Sequence, residues 1–147
     1  MGVLRDAVSC TVTEERNGAF ELEMVYPITG QHYSSLALRG LILAKPNPYG
    51  EAQYFRIYKI SRPINGQVTV NAQHISYDLS GIPVGPCKAL NAVDALQQLK
   101  SHAAVSCDYQ FWTDIQTVAD FAVAVPGSLR SLLGGVEGSV LDVYGGE

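Results

Sequence analysis

The chain has 147 residues, room for one domain of ordinary size or two small ones. Apolar residues make up 47% and charged ones 16%, against about a quarter charged in an average soluble domain, a balance that excludes a disordered chain. The net charge of -4, from 10 Lys and Arg against 14 Asp and Glu, argues against a surface that tracks phosphates, so no nucleic-acid partner is expected.

Scarce charge also fits a surface that is covered by protein in the working state, because interface cores are depleted of charged residues. The longest apolar runs, Gly40 to Ala44 and Phe121 to Val125, fall far short of the roughly eighteen residues that a membrane-spanning helix needs. Met1-Gly2-Val3-Leu4-Arg5-Asp6 has neither the basic n-region nor the long apolar h-region of a secretory signal, and it lacks the Ser or Thr that a myristoylation signal requires. Cys10, Cys87 and Cys107 are odd in number and widely spaced, and read as buried free thiols of a reducing compartment.

In chain order, Val8, Cys10 and Val12 alternate with Ser9, Thr11 and Thr13 in the two-residue period of a half-buried strand. Phe20, Leu22, Met24 and Tyr26 alternate with Glu21, Glu23 and Val25, and Asn17-Gly18 between the two runs predicts a hairpin tip. Pro27 ends the second run. Gly40 to Lys45 is a third, stopped by the turn-forming Pro46-Asn47-Pro48-Tyr49-Gly50. Tyr54 to Ile60 forms a fourth, with Phe55 and Ile57 on one face and Tyr54, Arg56 and Tyr58 on the other; Asn65-Gly66 then turns the chain into a fifth, Val68 to Ala72. Five strands joined mostly by tight turns predict an antiparallel sheet curling toward a barrel or a sandwich.

Beyond Gly85 the period changes. Asn91 is a good N-cap, Asp94 complements the N-terminal dipole, and Val93, Leu96 and Leu99 form a stripe, which predicts a helix over about 92–103 packed by those three residues. Short strand-like runs at Cys107 to Trp112 and Phe121 to Val125 follow, then a short helix from Ser128 to Leu133 stopped at Gly134-Gly135. The fold class expected is α+β and mainly β: a barrel-like region over 1–85, then an α+β region over 86–147 whose apolar end, Ser139 to Glu147, reads as incomplete.

No catalytic, cofactor-binding or metal-ligating residue is assigned. His74, Ser76 and Asp78 lie within five residues, whereas a hydrolase triad needs its base between nucleophile and orienter in space; a His and an Asp tying down the chain after the fifth strand, with Asp78 capping the Leu79-Ser80-Gly81 turn, account for them. Cys107 and His102 read as a core thiol and a helix-end imidazole rather than a nucleophile and its base. His32, His74 and His102 share no ligand spacing. Glu14, Glu15, Glu21 and Glu23 cluster about the first hairpin, a pattern open to acid-base work on a glycan, but Glu21 and Glu23 share one face of a strand and read simply as its wet side. Gly134-Gly135-Val136-Glu137-Gly138 follows a helix instead of joining a strand to one, so it reads as a connector and not a phosphate loop. The tyrosines, with Tyr54 and Tyr58 on one strand face, together with Trp112, offer a surface for stacking sugars or binding a partner.

Three blocks taken together carry a resemblance: Ala7 to Gly18 through Glu21 to Met24; Phe55 to Ile60 through Ala72 to Ser80; and Ser128 to Ser139 through Asp142 to Glu147. They resemble the N-terminal region of the minor structural proteins of Gram-positive siphophages and prophages, the tail-associated family labelled prophage endopeptidase tail. The resemblance implies a β-barrel module of a tail-tip or baseplate hub, trimeric in the full-length protein, in contact with other tail proteins such as the distal tail protein, made in the host cytoplasm and resident in the virion. It implies no enzymatic activity for this piece, any hydrolase lying further toward the C-terminus, and an excised fragment that associates weakly by itself. A cell-wall peptidase or glycosidase, and a module binding host glycans, are the alternatives.

Overall fold

Strand β2 (Phe20–Pro27) pairs antiparallel with β5 (Gln67–His74), from Glu21 opposite Gln73 to Pro27 opposite Gln67, and this ladder is the centre of the first of two units. The structure is a computed structural model that describes residues 2–15 and 18–145. Its units are Met1–Ile75 and Ser76–Glu147. In the first, β1 (Ser9–Glu14), β3 (Leu41–Ala44) and β4 (Gln53–Ile60) complete a five-stranded antiparallel sheet in the order β1-β2-β5-β4-β3. Strands hold 36% of the residues and helices 21%, which makes the class mainly β. The sheet curls into a half-barrel: β1 and β3 do not pair with each other, so the expected rolling of the sheet is present and closure is not.

The two-residue period explains the core. Leu22, Met24 and Tyr26 of β2, Val68, Val70 and Ala72 of β5, Phe55 and Ile57 of β4 and Ile42 of β3 are buried together, while the residues between them turn outward. The register of β4 on β5 slips between Ile57 and Lys59. Tyr58 is the extra residue of this bulge, so Tyr58 and Lys59 are both exposed and Ile60 returns toward the core; a bulge bends its strand and raises the local twist, which suits a curled sheet.

Turn chemistry places the hairpins. Asn65 and Gly66 both have positive φ, 50° and 74°, and Ile64 and Gln67 exchange backbone hydrogen bonds of 2.8 and 3.0 Å across them, the two-residue turn that matches the twist of a hairpin. The β1–β2 connection closes with Glu14 opposite Phe20 and the Glu15 N–H on the Ala19 carbonyl at 2.8 Å; Asn17, expected at its tip, lies outside the described residues. Asn47 accepts from the backbone N–H groups of Tyr49 and Gly50 and so organises the turn after β3.

One expectation for this unit is overturned. Val8 is 61% exposed and Cys10 is exposed as well, although Cys10 stands opposite the buried Met24. The reason is position: β1 is an edge strand, and a core-facing side chain there has neighbours on one flank only.

In the second unit β6 (Pro83–Val84) pairs with β9 (Gly127–Ser128), and β7 (Cys87–Asn91) with β8 (Val118–Val123). Helices α1 (Ala92–Ser101), α2 (Leu129–Leu133) and α3 (Val140–Tyr144) pack with them around Leu79, Val84, Ala95, Leu99, Phe121 and Leu129. The seam therefore falls between Ile75 and Ser76 and not near Gly85, because Leu79 and Val84 belong to this second core and β6 finds its partner in β9.

Asn91 caps α1 as expected, its side-chain oxygen accepting the Asp94 N–H at 2.9 Å. The buried face, however, is Ala92, Ala95 and Leu99, with Leu96 at its border and Val93 exposed. The small alanines let the helix lie close on β7, which rotates the larger Val93 outward. Cys107 to Trp112 is not a strand; the chain there is irregular and has no ladder partner. Ser128 caps α2, accepting from the Ser131 N–H at 3.2 Å, and Gly134-Gly135 stops it, Gly135 having φ 95°. The apolar end of the chain forms α3, with Val140 and Tyr144 buried.

Candidate functional site

Gly40-Leu41-Ile42-Leu43-Ala44 is apolar in both strand phases, so β3 cannot bury one face without presenting the other. Ile42 faces the core, and Leu41 and Leu43 point outward with 52% and 47% of their surface exposed. Leu43 stands opposite Tyr54 and Leu41 opposite Arg56 on β4, and Tyr54 and Tyr58 are also exposed. Edge strands are ordinarily blunted by charge, proline or cover. The outward positions of β3 carry none of these, and at the opposite edge Cys10 of β1 and Val8 just before it are exposed. Among the described residues each edge strand pairs on one side only.

Around this surface the polar groups are anchored. The Arg56 guanidinium donates to the Arg39 carbonyl at 3.2 Å, the Tyr58 hydroxyl to Glu21 Oε2 at 3.4 Å, and Asn71 Nδ2 to Glu23 Oε2 at 3.2 Å. Glu21 and Glu23 thus belong to the outer side of the sheet, Glu23 held by Asn71 of the neighbouring β5 and Glu21 by Tyr58 of β4, one strand further across.

The residues weighed for chemistry are dispersed into structural roles. His74 stacks on Phe20 at 4.4 Å between ring centroids, meets Phe55 edge-on at 5.7 Å and has Nε2 3.3 Å from Gln53 Oε1. Asp78, within a 3-10 turn over Ile75–Gly81, accepts from the Tyr109 hydroxyl at 3.3 Å. His102 is the C-cap of α1, with Nδ1 3.0 Å from the Gln98 carbonyl and 3.1 Å from the Ser101 hydroxyl. Cys107 is buried, and so is Cys87, whose thiol is pushed up by burial and then by the nearby charge of Asp94. Glu137 lies in the connector between α2 and α3, where the Gly138 N–H donates to Asp142 Oδ2 at 2.7 Å. No group of three or more His, Cys, Asp or Glu side chains that could hold a metal ion occurs among the described residues, and no helix among them is long and apolar enough to cross a membrane.

Comparison with protein-family models, with curated proteins and with solved structures returned no match. Sequence reasoning passed over Leu41 and Leu43. The signal that marks them is an unbroken apolar run in a short strand beside turn-formers, which leaves outward leucines wherever that strand lies at an edge.

Proposed function

We propose that this chain is a structural component of a phage or prophage tail tip, a hub-like module that joins tail tube to distal tail parts by contact with copies of itself and with other tail proteins. The observation that carries the reading is the pair of outward leucines, Leu41 and Leu43, on an uncovered edge strand of a curled sheet. A half-barrel with two unlike bare edges, β3 and β1, is suited to head-to-tail contact between copies, the kind of interface that closes into a ring when its rotation permits. Each half-exposed leucine stabilises such a contact by about 1 kcal/mol on burial. Scarce surface charge and the three sequence blocks described above support the same reading.

Sedimentation velocity over a range of concentrations tests it. Weak, reversible association that a Leu41→Lys, Leu43→Lys double variant abolishes is the expected result, with the melting temperature of the variant little changed because surface substitutions of this sort shift stability by about 0.5 kcal/mol or less. Association that ignores both substitutions contradicts the proposal. So does release of fragments from peptidoglycan that is lost on substituting His74 or Cys107, which would make the chain an enzyme.

A further inference from the structure

Trp112 is 83% exposed in the second unit, in the irregular stretch that follows Cys107. One exposed apolar residue needs no explanation, but this indole forms the wall of a groove of about 520 Å³ whose other side is the outer face of α1. Val93 and Leu96 from α1 and Phe111 beside Trp112 supply its apolar surface; Gln97, Gln110 and Thr113 supply its hydrogen-bonding groups. A second hollow of about 310 Å³ shares Leu96, Phe111 and Trp112 and extends toward Leu133 and Val140. Both volumes fall in the range of small-molecule sites, which run from about 300 to 1,000 Å³.

The chemistry of the lining narrows the ligand. No carboxylate contributes to the groove, and its one cation, Lys100, already donates to the Tyr109 carbonyl at 3.0 Å. Beside the N–H groups that Lys100 keeps, a ligand meets an aromatic face, two carboxamides that each donate and accept, and the Thr113 hydroxyl, which accepts the Ile115 N–H at 3.1 Å and has its own O–H to donate. A sugar presents that combination in complement: a face of C–H groups for the indole and a rim of hydroxyls that donate and accept. An aliphatic ligand leaves the two carboxamides without partners, which is costly once they are desolvated, and a phosphate-bearing ligand finds a single ammonium, one of whose three N–H groups is given to Tyr109. We infer that the groove between α1 and residues 110–113 binds a neutral saccharide, its ring stacked on Trp112 and its hydroxyls bonded by Gln97 and Gln110. This is independent of the hub reading, which rests on the first unit.

Trp112 is the only tryptophan of the chain, so its fluorescence reports on the groove alone. Titration of the full chain with uncharged oligosaccharides of glucose, galactose and N-acetylglucosamine is expected to give a saturable emission change with at least one of them, and Gln97→Ala and Gln110→Ala, which keep the reporter, to weaken it at least fivefold each. Calorimetry with the same sugar on Trp112→Ala, a surface substitution that leaves the core intact, should show at least a tenfold loss. Absence of a saturable change with every member of the panel overturns the proposal. A change indifferent to both glutamine substitutions overturns it too, as does saturation by an apolar peptide and by no sugar, which makes the groove a protein-docking surface.

Discussion

The Tyr144 hydroxyl donates to the Ala119 carbonyl at 2.9 Å, tying α3 to β8 across a separation of 25 residues. The ring is buried and lies 6.4 Å from that of Phe121, so this bond joins a packed aromatic pair to the backbone of the sheet. Tyr144→Phe is expected to cost about 1 kcal/mol, the net worth of one such bond, measured by chemical denaturation. The same site gives a pH dependence. Burial, then the charges of Asp94 and Asp120, push the Tyr144 hydroxyl up from its ordinary range, and burial with Asp6 does the same to Tyr26. A phenol that resists ionisation in the fold contributes stability that is complete below the unfolded value, about pH 10, and is lost as the pH rises through the folded one. Denaturation midpoints should therefore fall on the alkaline side, and Tyr144→Phe should make that fall shallower.

In the same unit, Asn91 holds the start of α1 through the Asp94 N–H. Asn91→Ala removes the acceptor and is expected to cost about 1 kcal/mol, whereas Asn91→Asp keeps it and should cost little. Equal losses in the two variants would show that the cap contributes nothing.

Gly66 turns the hairpin between β4 and β5 with φ 74°, a region where a Cβ is strained even though no atom lies within 4 Å of the place it would occupy. Gly66→Ala should destabilise by about 1 kcal/mol for that backbone reason alone. Gly81→Ala is the control: its Cβ also meets nothing within 4 Å and its φ is not positive, so a neutral or slightly stabilising result is expected.

Cys10 is exposed on β1 while Cys87 and Cys107 are buried. A maleimide reagent should add to one thiol of the native chain and to all three after denaturation, counted by intact mass. Rapid native labelling of Cys87 or Cys107 would show that the second core opens readily.

Much of this architecture was legible beforehand, for local reasons. Phe20 to Tyr26 alternates, with only Val25 apolar among the outward positions, and forms β2 with the predicted faces; Asn65-Gly66 carries its own turn; Asn91 and Ser128 announce helix starts because a side-chain oxygen there satisfies N–H groups within its own first turn. Cys107 to Trp112 has the composition of a strand and is none, since pairing needs a neighbour and the sequence does not say whether one is in reach. The helix at Val140–Tyr144 was missed because five residues are too few to show a period. Leu79 and Val84 read as the close of the first unit and belong to the core of the second, a choice made by β6 finding β9 more than forty positions along.

By itself, then, the sequence determined the Asn65-Gly66 hairpin turn, the inward rows of β2, β4 and β5, the cap of α1 and the scarcity of charge, all of which depend on composition or on residues within a few positions of one another. Only the tertiary structure decided that β1 and β3 lie at the edges with Cys10, Leu41 and Leu43 uncovered, that α1 rests on Ala92 and Ala95 and turns Val93 outward, and that Trp112 stands across a groove from it. Those outcomes follow from which distant segments compete to cover the same apolar surface, and that competition is settled by packing over the whole unit rather than by any local pattern.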